Sequence, residues 1–297
     1  MKILGIGIAT LDIINVVDGY PPEDSEVRAL EQQQRRGGNA TNTLVVLSQL
    51  GHHCHWGGVL AEEPDSEYIL EDLARHHIDI RHCRRVATGK VPTSYIILNR
   101  RNGSRTIVHY RDLPEFGFGD FDTIELAPFQ WVHFEGRNVP ETRRMLEKCV
   151  ERHPTLPLSL EVEKIRPEID TLFPLATVLL FSRAYARHQG FDDPERFLLS
   201  LRKRLPGRIL VCAWGERGAA ALDRDGTLCS SPAYPPPRLV DTTGAGDVFN
   251  AGIIDGLLRG ESLETTLHAA CRLAGAKCGI SGFDGLKPPS RAHSSPP

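Results

Sequence analysis

No apolar run in this 297-residue chain approaches the roughly 20 residues needed to cross a bilayer, so no membrane partner is expected. An excess of either charge is missing too: 35 Lys and Arg stand against 38 Asp and Glu, for a net of −3. That balance gives no electrostatic reason to expect nucleic acid or an anionic lipid surface. There is no Cys-x-x-Cys pair. The seven cysteines (Cys54, Cys83, Cys149, Cys212, Cys229, Cys271 and Cys278) are odd in number and scattered, which excludes a disulfide framework and a zinc ribbon as readings. The run His52-His53-Cys54-His55 would alternate faces of a strand, a poor way to close on one ion. The start, Met1 to Gly7, enters a strand-like pattern without a signal peptide's cleavage region, so a cytoplasmic location is expected. No internal repeat is present.

What is present is an ordinary globular composition, 40% hydrophobic and 25% charged, at a length that suits one large α/β domain or two small ones. Apolar runs at 2–9, 11–17, 54–60, 131–135, 156–163, 178–182 and 209–214 read as strands. Helical patterns lie near 66–76, 140–152, 167–173, 194–204, 246–258 and 262–278. The alternation predicts an α/β fold with a mostly parallel sheet covered on both faces. Val91–Asn99 and Arg105–Tyr110 flank Asn102-Gly103 as a hairpin. That hairpin material fits a small β lid, of segments about 13–36 and 86–112, on a single domain spanning 1–286. The Pro- and Ser-rich end, 287–297, is expected to be disordered.

The run Asp241-Thr242-Thr243-Gly244-Ala245-Gly246-Asp247-Val248 carries the most chemistry. It leads into an apolar helical stretch, so Gly244, Ala245 and Gly246 fall at a helix N-terminus. Unpaired N–H groups and the positive dipole end make an anion cradle there. A carboxylate inside such a cradle, Asp247, is electrostatically awkward unless it takes a proton from a hydroxyl that attacks a phosphoryl group. The bland alternative is a glycine turn whose aspartates cap a buried helix. Asp12 interrupts an apolar strand, a costly place for an acid without a partner. Gly37-Gly38-Asn39-Ala40-Thr41-Asn42 opens a second helix with Asn39 and Asn42 three apart on one face, where their amides suit sugar hydroxyls, or where Asn39 caps and Asn42 meets solvent. Asp12, Glu135, Lys164 and Asp247 all fall at strand ends or helix starts, where open α/β sheets bind ligands.

These two glycine-led segments together resemble the signatures of the ribokinase-like (pfkB) carbohydrate kinases, and the likeness extends over nearly the whole chain. Narrower stretches, among them Tyr20 to Glu26, Gly103 to Ile107, Glu135-Gly136-Arg137-Asn138, Glu161-Val162-Glu163-Lys164, Val211 to Trp214, Pro235-Pro236-Pro237-Arg238 and Gly282 to Gly285, are similar to a branch that phosphorylates the 1-hydroxyl of fructose. The resemblance implies a three-layer sandwich with a β-sheet lid. It implies transfer of the γ-phosphoryl of ATP, as its magnesium complex, to a free sugar. Asp247 matches the general base, Gly244, Ala245 and Gly246 the anion hole, and Asp12, Gly38, Asn39 and Asn42 the sugar-binding positions. Asp24 matches an acid reaching the partner's pocket in a homodimer joined through the lid; by itself it reads as part of an exposed acidic loop. Arg105 and Lys164 match cations near the phosphate, with a solvated hairpin arginine and a surface ion pair as their plain alternatives. The nucleotide would lie against Ala213, Gly215, Glu216 and Gly218, Pro236, and Asn250, Ala274 and Cys278. A potassium ion near Asp241 and Thr243 is also implied. The Asn-x-x-Glu motif of many members is absent, the stretch reading Ser182-Arg183-Ala184-Tyr185. A ribose, nucleoside or fructose 6-hydroxyl acceptor is the alternative within the fold, and a non-catalytic sugar-binding protein the alternative outside enzymes.

Overall fold

The structure is a computed structural model and describes residues 1–286; the expected tail at 287–297 lies outside the described residues. Its first half runs β1 (Lys2–Ile6), β2 (Thr10–Val17), β3 (Glu31–Gly37), α1 (Asn39–Gln49), β4 (His53–Gly57), β5 (Val59–Ala61), α2 (Pro64–Arg75), β6 (Arg84–Val86), β7 (Lys90–Asn99), β8 (Arg105–Asp112) and α3 (Phe118–Phe121). The second half runs β9 (Trp131–Glu135), α4 (Val139–Arg152), β10 (Leu158–Val162), β11 (Val178–Ser182), α5 (Arg183–His188), α6 (Pro194–Leu201), β12 (Ile209–Ala213), β13 (Ala219–Leu222), β14 (Leu228–Ser231), α7 (Ala245–Leu258) and α8 (Leu263–Cys278).

Eight strands form one sheet in the order β14-β13-β12-β11-β10-β9-β1-β4, in which only β13 runs against the others. Side chains alternate between its faces, and both faces are apolar, as a sheet covered twice requires. Ile3, Val178, Leu180, Ile209 and Val211 pack under α1, α2, α7 and α8. Leu4, Leu179, Phe181, Leu210 and Cys212 pack under α4, α5 and α6. The three layers expected from the alternation of elements are therefore present.

A second sheet, β3-β2-β7-β8, forms the lid. In it β2 runs parallel to β7, and the outer pairs are antiparallel. Two readings differ in detail. The single strand expected at 54–60 is split into β4 and β5 at Gly58, and the helix expected at 167–173 is a 3₁₀ turn over Ile169–Leu175. Pro174 inside that turn lacks the N–H an α-helix would need. The hairpin β13–β14 and the short α5 were not anticipated.

Candidate active site

The chain reverses its direction of growth across the sheet between β1 and β9, and ligands in open α/β sheets bind at such switch points, beyond the carboxyl ends of the strands. A cleft of about 600 Å³ opens there. Ile8, Glu135, Glu161, Ser182 and Ala213 at or just beyond the ends of five strands, the N-termini of α1 and α7, and residues from β2, β7 and β8 of the lid all line it.

Two helix starts fix its chemistry. Gly38 precedes α1 at φ +103°, and a Cβ there would lie 2.2 Å from the Ile8 carbonyl oxygen, so only glycine lets the helix begin this close to β1. Gly244 caps α7 at φ +76°. The α7 ladder first closes where Val248 N–H donates to the Gly244 carbonyl at 3.0 Å, so the N–H groups of Gly246 and Asp247 precede it and are available to an anion.

Asp247 sits in that first turn and is only 6% exposed. Its Oδ2 accepts from Asn42 Nδ2 at 2.6 Å. Burial raises its pKa well above the ordinary carboxylate value; the Asn42 hydrogen bond opposes this, Glu163 and Glu135 reinforce it, and Arg36 opposes it. A raised pKa suits a base that must bind a proton during the reaction. Asn39 donates through Nδ2 to Glu161 Oε1 at 3.2 Å and Glu163 Oε2 at 2.9 Å. Glu161 also receives Asn250 Nδ2 at 3.0 Å, while its buried Oε2 has no partner. Burial and the neighbouring Asp247 push Glu161 well up. Asp12 is raised by burial against hydrogen bonds from Thr10 and Ser94.

Most expected residues converge on the cleft: Asp12, Gly38, Asn39, Asn42, Arg105, Lys164, Ala213, Gly244, Ala245, Gly246, Asp247 and Asn250 all line it. Arg105 reaches across from the lid, its Nη1 donating to Thr243 Oγ1 at 2.7 Å. Lys164 lies 3.8 Å from Glu163, as its plain reading predicted, yet on the cleft wall. Asp24 does not line it; it lies exposed in the loop between β2 and β3 at φ +54°. Gly215, Glu216, Gly218, Pro236, Ala274 and Cys278 also lie outside the lining. Glu216 binds Arg183 at 2.6 Å. Gly218 lies against Ser231 to Ala233, and Pro236 against Gly279 just past α8. The Cys278 carbonyl accepts from Val240 N–H at 2.8 Å, which ties the Pro236 loop to the end of α8.

Asp241 is engaged by donors of the chain itself. Its carbonyl and Oδ2 each accept from the buried Lys277 ammonium at 3.0 Å, Oδ2 also accepts from Arg35 at 2.8 Å, and Oδ1 accepts from Thr243 N–H. Burial would raise this acid, but the Thr243 N–H and Lys277 outweigh it and hold it down at about 2. Lys277 and Arg35 thus place two cations of the chain beside Asp241. No group of three or more His, Cys, Asp or Glu among the described residues is arranged to hold a metal.

Sequence reasoning gave no role to Glu161, Glu163, Arg137 or Arg166, all on the cleft wall, nor to the buried Arg36 behind Asn42. Acids ending the apolar strand β10 were the available signal for the first two.

A buried carboxylate beside open N–H groups at a helix start, in a cleft lined by asparagine amides, arginines and a lysine on a three-layer α/β sheet, suits a phosphotransferase acting on a hydroxyl. The model of the pfkB family of carbohydrate kinases matches residues 1–287, and the chain belongs to that family. It is 43% identical to the ketohexokinase of Mus musculus over 293 residues, covering 96% of this chain and 98% of that protein. The fructokinase of Klebsiella pneumoniae is 27% identical over 258 residues, covering 82% of this chain and 81% of the relative. In fold it is similar to Arabidopsis thaliana ribokinase complexed with ribose and ATP, with a TM-score of 0.79 at 19% identity, covering 95% and 93% of the two chains.

Proposed function

We propose that this chain transfers the γ-phosphoryl group of ATP, delivered as its magnesium complex, to the 1-hydroxyl of free fructose. The observation that carries the reaction is the buried Asp247 carboxylate in the first turn of α7, beside N–H groups that the helical ladder leaves open. Similarity to a ketohexokinase over nearly the full length of both chains supports the acceptor. So does the polar lining around Asp247, where Asn39, Asn42, Ser94 and Asp12 offer hydrogen bonds to hydroxyls.

The steps follow from position and charge. Asn42 holds Oδ2 of Asp247, and Oδ1 takes the proton of the acceptor hydroxyl. The freed oxygen forms the bond to the γ-phosphorus as the bond to the β–γ bridging oxygen breaks, and ADP leaves. Charge on the transferring group meets the α7 N-terminus, with Arg105 and Lys164 as the side-chain cations. Magnesium would enter with the nucleotide, held by its phosphates, and would neutralise their charge. The adenosine end lies along Ala213, Gly215, Glu216, Gly218, Pro236, Asn250, Ala274 and Cys278.

The lid supports a homodimer in which Asp24 reaches the partner's pocket. Its outer strand β8 is exposed along nearly its whole length and carries Ile107, Val108 and Tyr110 to solvent, beside Tyr95 of β7. Among the described residues no helix is long and apolar enough to cross a membrane, which agrees with a cytoplasmic site of action.

The test is Asp247→Asn. The amide keeps the shape and can accept from Asn42, so sugar affinity should stay within about threefold while kcat falls by about 10² to 10⁴. Retention of most of the rate would remove Asp247 as base. NMR of the product from a panel of hexoses, pentoses and nucleosides locates the new phosphate; a 6-phosphate would keep the kinase and reject the 1-hydroxyl.

A further inference from the structure

Arg36, at the end of the lid strand β3, is only 5% exposed, unusual for an arginine beside a glycine turn. Its Nε donates to Asp72 Oδ2 of α2 at 2.6 Å. Its Nη1 donates to Thr41 Oγ1 at 3.0 Å and to Asn42 Oδ1 at 2.7 Å. Asn42 in turn donates Nδ2 to Asp247 Oδ2 at 2.6 Å. A guanidinium has only donors and an ionised carboxylate only acceptors. The amide between them therefore has one satisfied orientation. Turned over, its NH₂ would face the guanidinium and its carbonyl oxygen would face the carboxylate. The same bonds use one lone pair and one N–H of Asn42, leaving one of each for a sugar hydroxyl.

We propose that Arg36 is a positioning residue for phosphoryl transfer: by holding the Asn42 carbonyl it sets the amide that holds Asp247, and so fixes which carboxylate oxygen meets the acceptor hydroxyl. The proposal rests on Asp247 as the base. Without the Arg36 donor, the amide rotates between two orientations, and in one of them Asp247 faces a carbonyl oxygen and swings away. Because the carboxylate must sit within hydrogen-bond reach of the hydroxyl as the proton moves, the loss falls on the chemical step.

The competing view is that Arg36 only ties β3 to α2 through Asp72. A pair of variants separates the two. Asp72→Asn removes the ion pair and leaves the Arg36–Asn42 bond; Asp72→Asn with Arg36→Met removes both and leaves no unpaired buried charge of that pair. We expect the first to keep kcat within about threefold and to lower Tm. The double variant should lose about 10²-fold in kcat relative to it, with KM for sugar and ATP changed by less than about threefold. Equal kcat in the two variants overturns the proposal, and so does a loss carried by KM. Arg36→Lys keeps a donor and should recover at least about tenfold over Arg36→Met; a lysine no better than methionine also overturns it. If Asp247→Asn is inactive while these Arg36 variants are not, the base stands and only its positioning by Arg36 falls.

Discussion

Replacing Glu161 by glutamine should make the protein more stable, and by an amount that grows with pH. Glu161 is about as large as glutamine and is buried at the end of β10, with Asn39 and Asn250 donating to Oε1 and nothing to Oε2. Burial first, then Asp247, Glu135 and Glu163, favour its protonated form. The sign follows directly: a folded pKa above the ordinary 4.5 means that the native state binds more protons than the unfolded chain in the window between the two values. Wild-type stability is therefore lost as pH rises through that window, by about 1.4 kcal/mol per pH unit for one full proton. Glutamine does not titrate, keeps an acceptor for the two asparagines and turns its NH₂ toward the surrounding carboxylates. The difference between variant and wild type should be flat below the ordinary glutamate value and then climb at about that slope. For a chain of this size that is about 2 to 3 °C in Tm per pH unit. Paired thermal melts from pH 4 to 8, without nucleotide and with a chelator present, measure it; taking differences cancels opposing groups such as His133, which burial holds at about 4. A Tm difference independent of pH, or one that favours glutamate as pH rises, would falsify the reasoning.

Gly244→Ala should damage catalysis and stability together: a Cβ there would lie 2.3 Å from the Phe283 ring at a backbone φ of +76°. We expect about 1 to 3 kcal/mol of lost stability and at least about tenfold in kcat, read by urea unfolding and steady-state rates; a variant normal in both would remove the close packing from the argument. Mixing Asp24→Asn with Asp247→Asn tests the shared pocket. If each is impaired alone and Asp24 acts on the partner, random heterodimers should restore about a quarter of wild-type sites, and no recovery in a demonstrated dimer would count against sharing.

The layers, the small second sheet and the glycine-led start of α7 were legible because each leaves a local mark: period-two apolar strands, a turn at Asn102-Gly103, and glycines ahead of a helix. What stayed hidden depends on long-range packing. Arg35 and Arg36 look alike in sequence, yet Arg36 is sealed against Asp72 and Asn42 while Arg35 reaches Asp241. Glu161 and Glu163 lie two apart, so the pleat places them alike, and only the position of α1 turns Asn39 onto both. The β13–β14 hairpin was missed because Ala219-Ala220-Ala221 has little intrinsic strand preference and is held by its neighbours in the sheet.

Phe283, beyond α8, has its ring 5.9 Å from the Arg36 guanidinium carbon and 5.5 Å from the Lys277 ammonium, and it fills the space a side chain at Gly244 would need. One aromatic ring thus backs Arg36, Lys277 and the Gly244 turn at the start of α7. The last described turn of the chain therefore supports three places far apart in sequence, and loss of the Phe283 ring would be felt at all of them together.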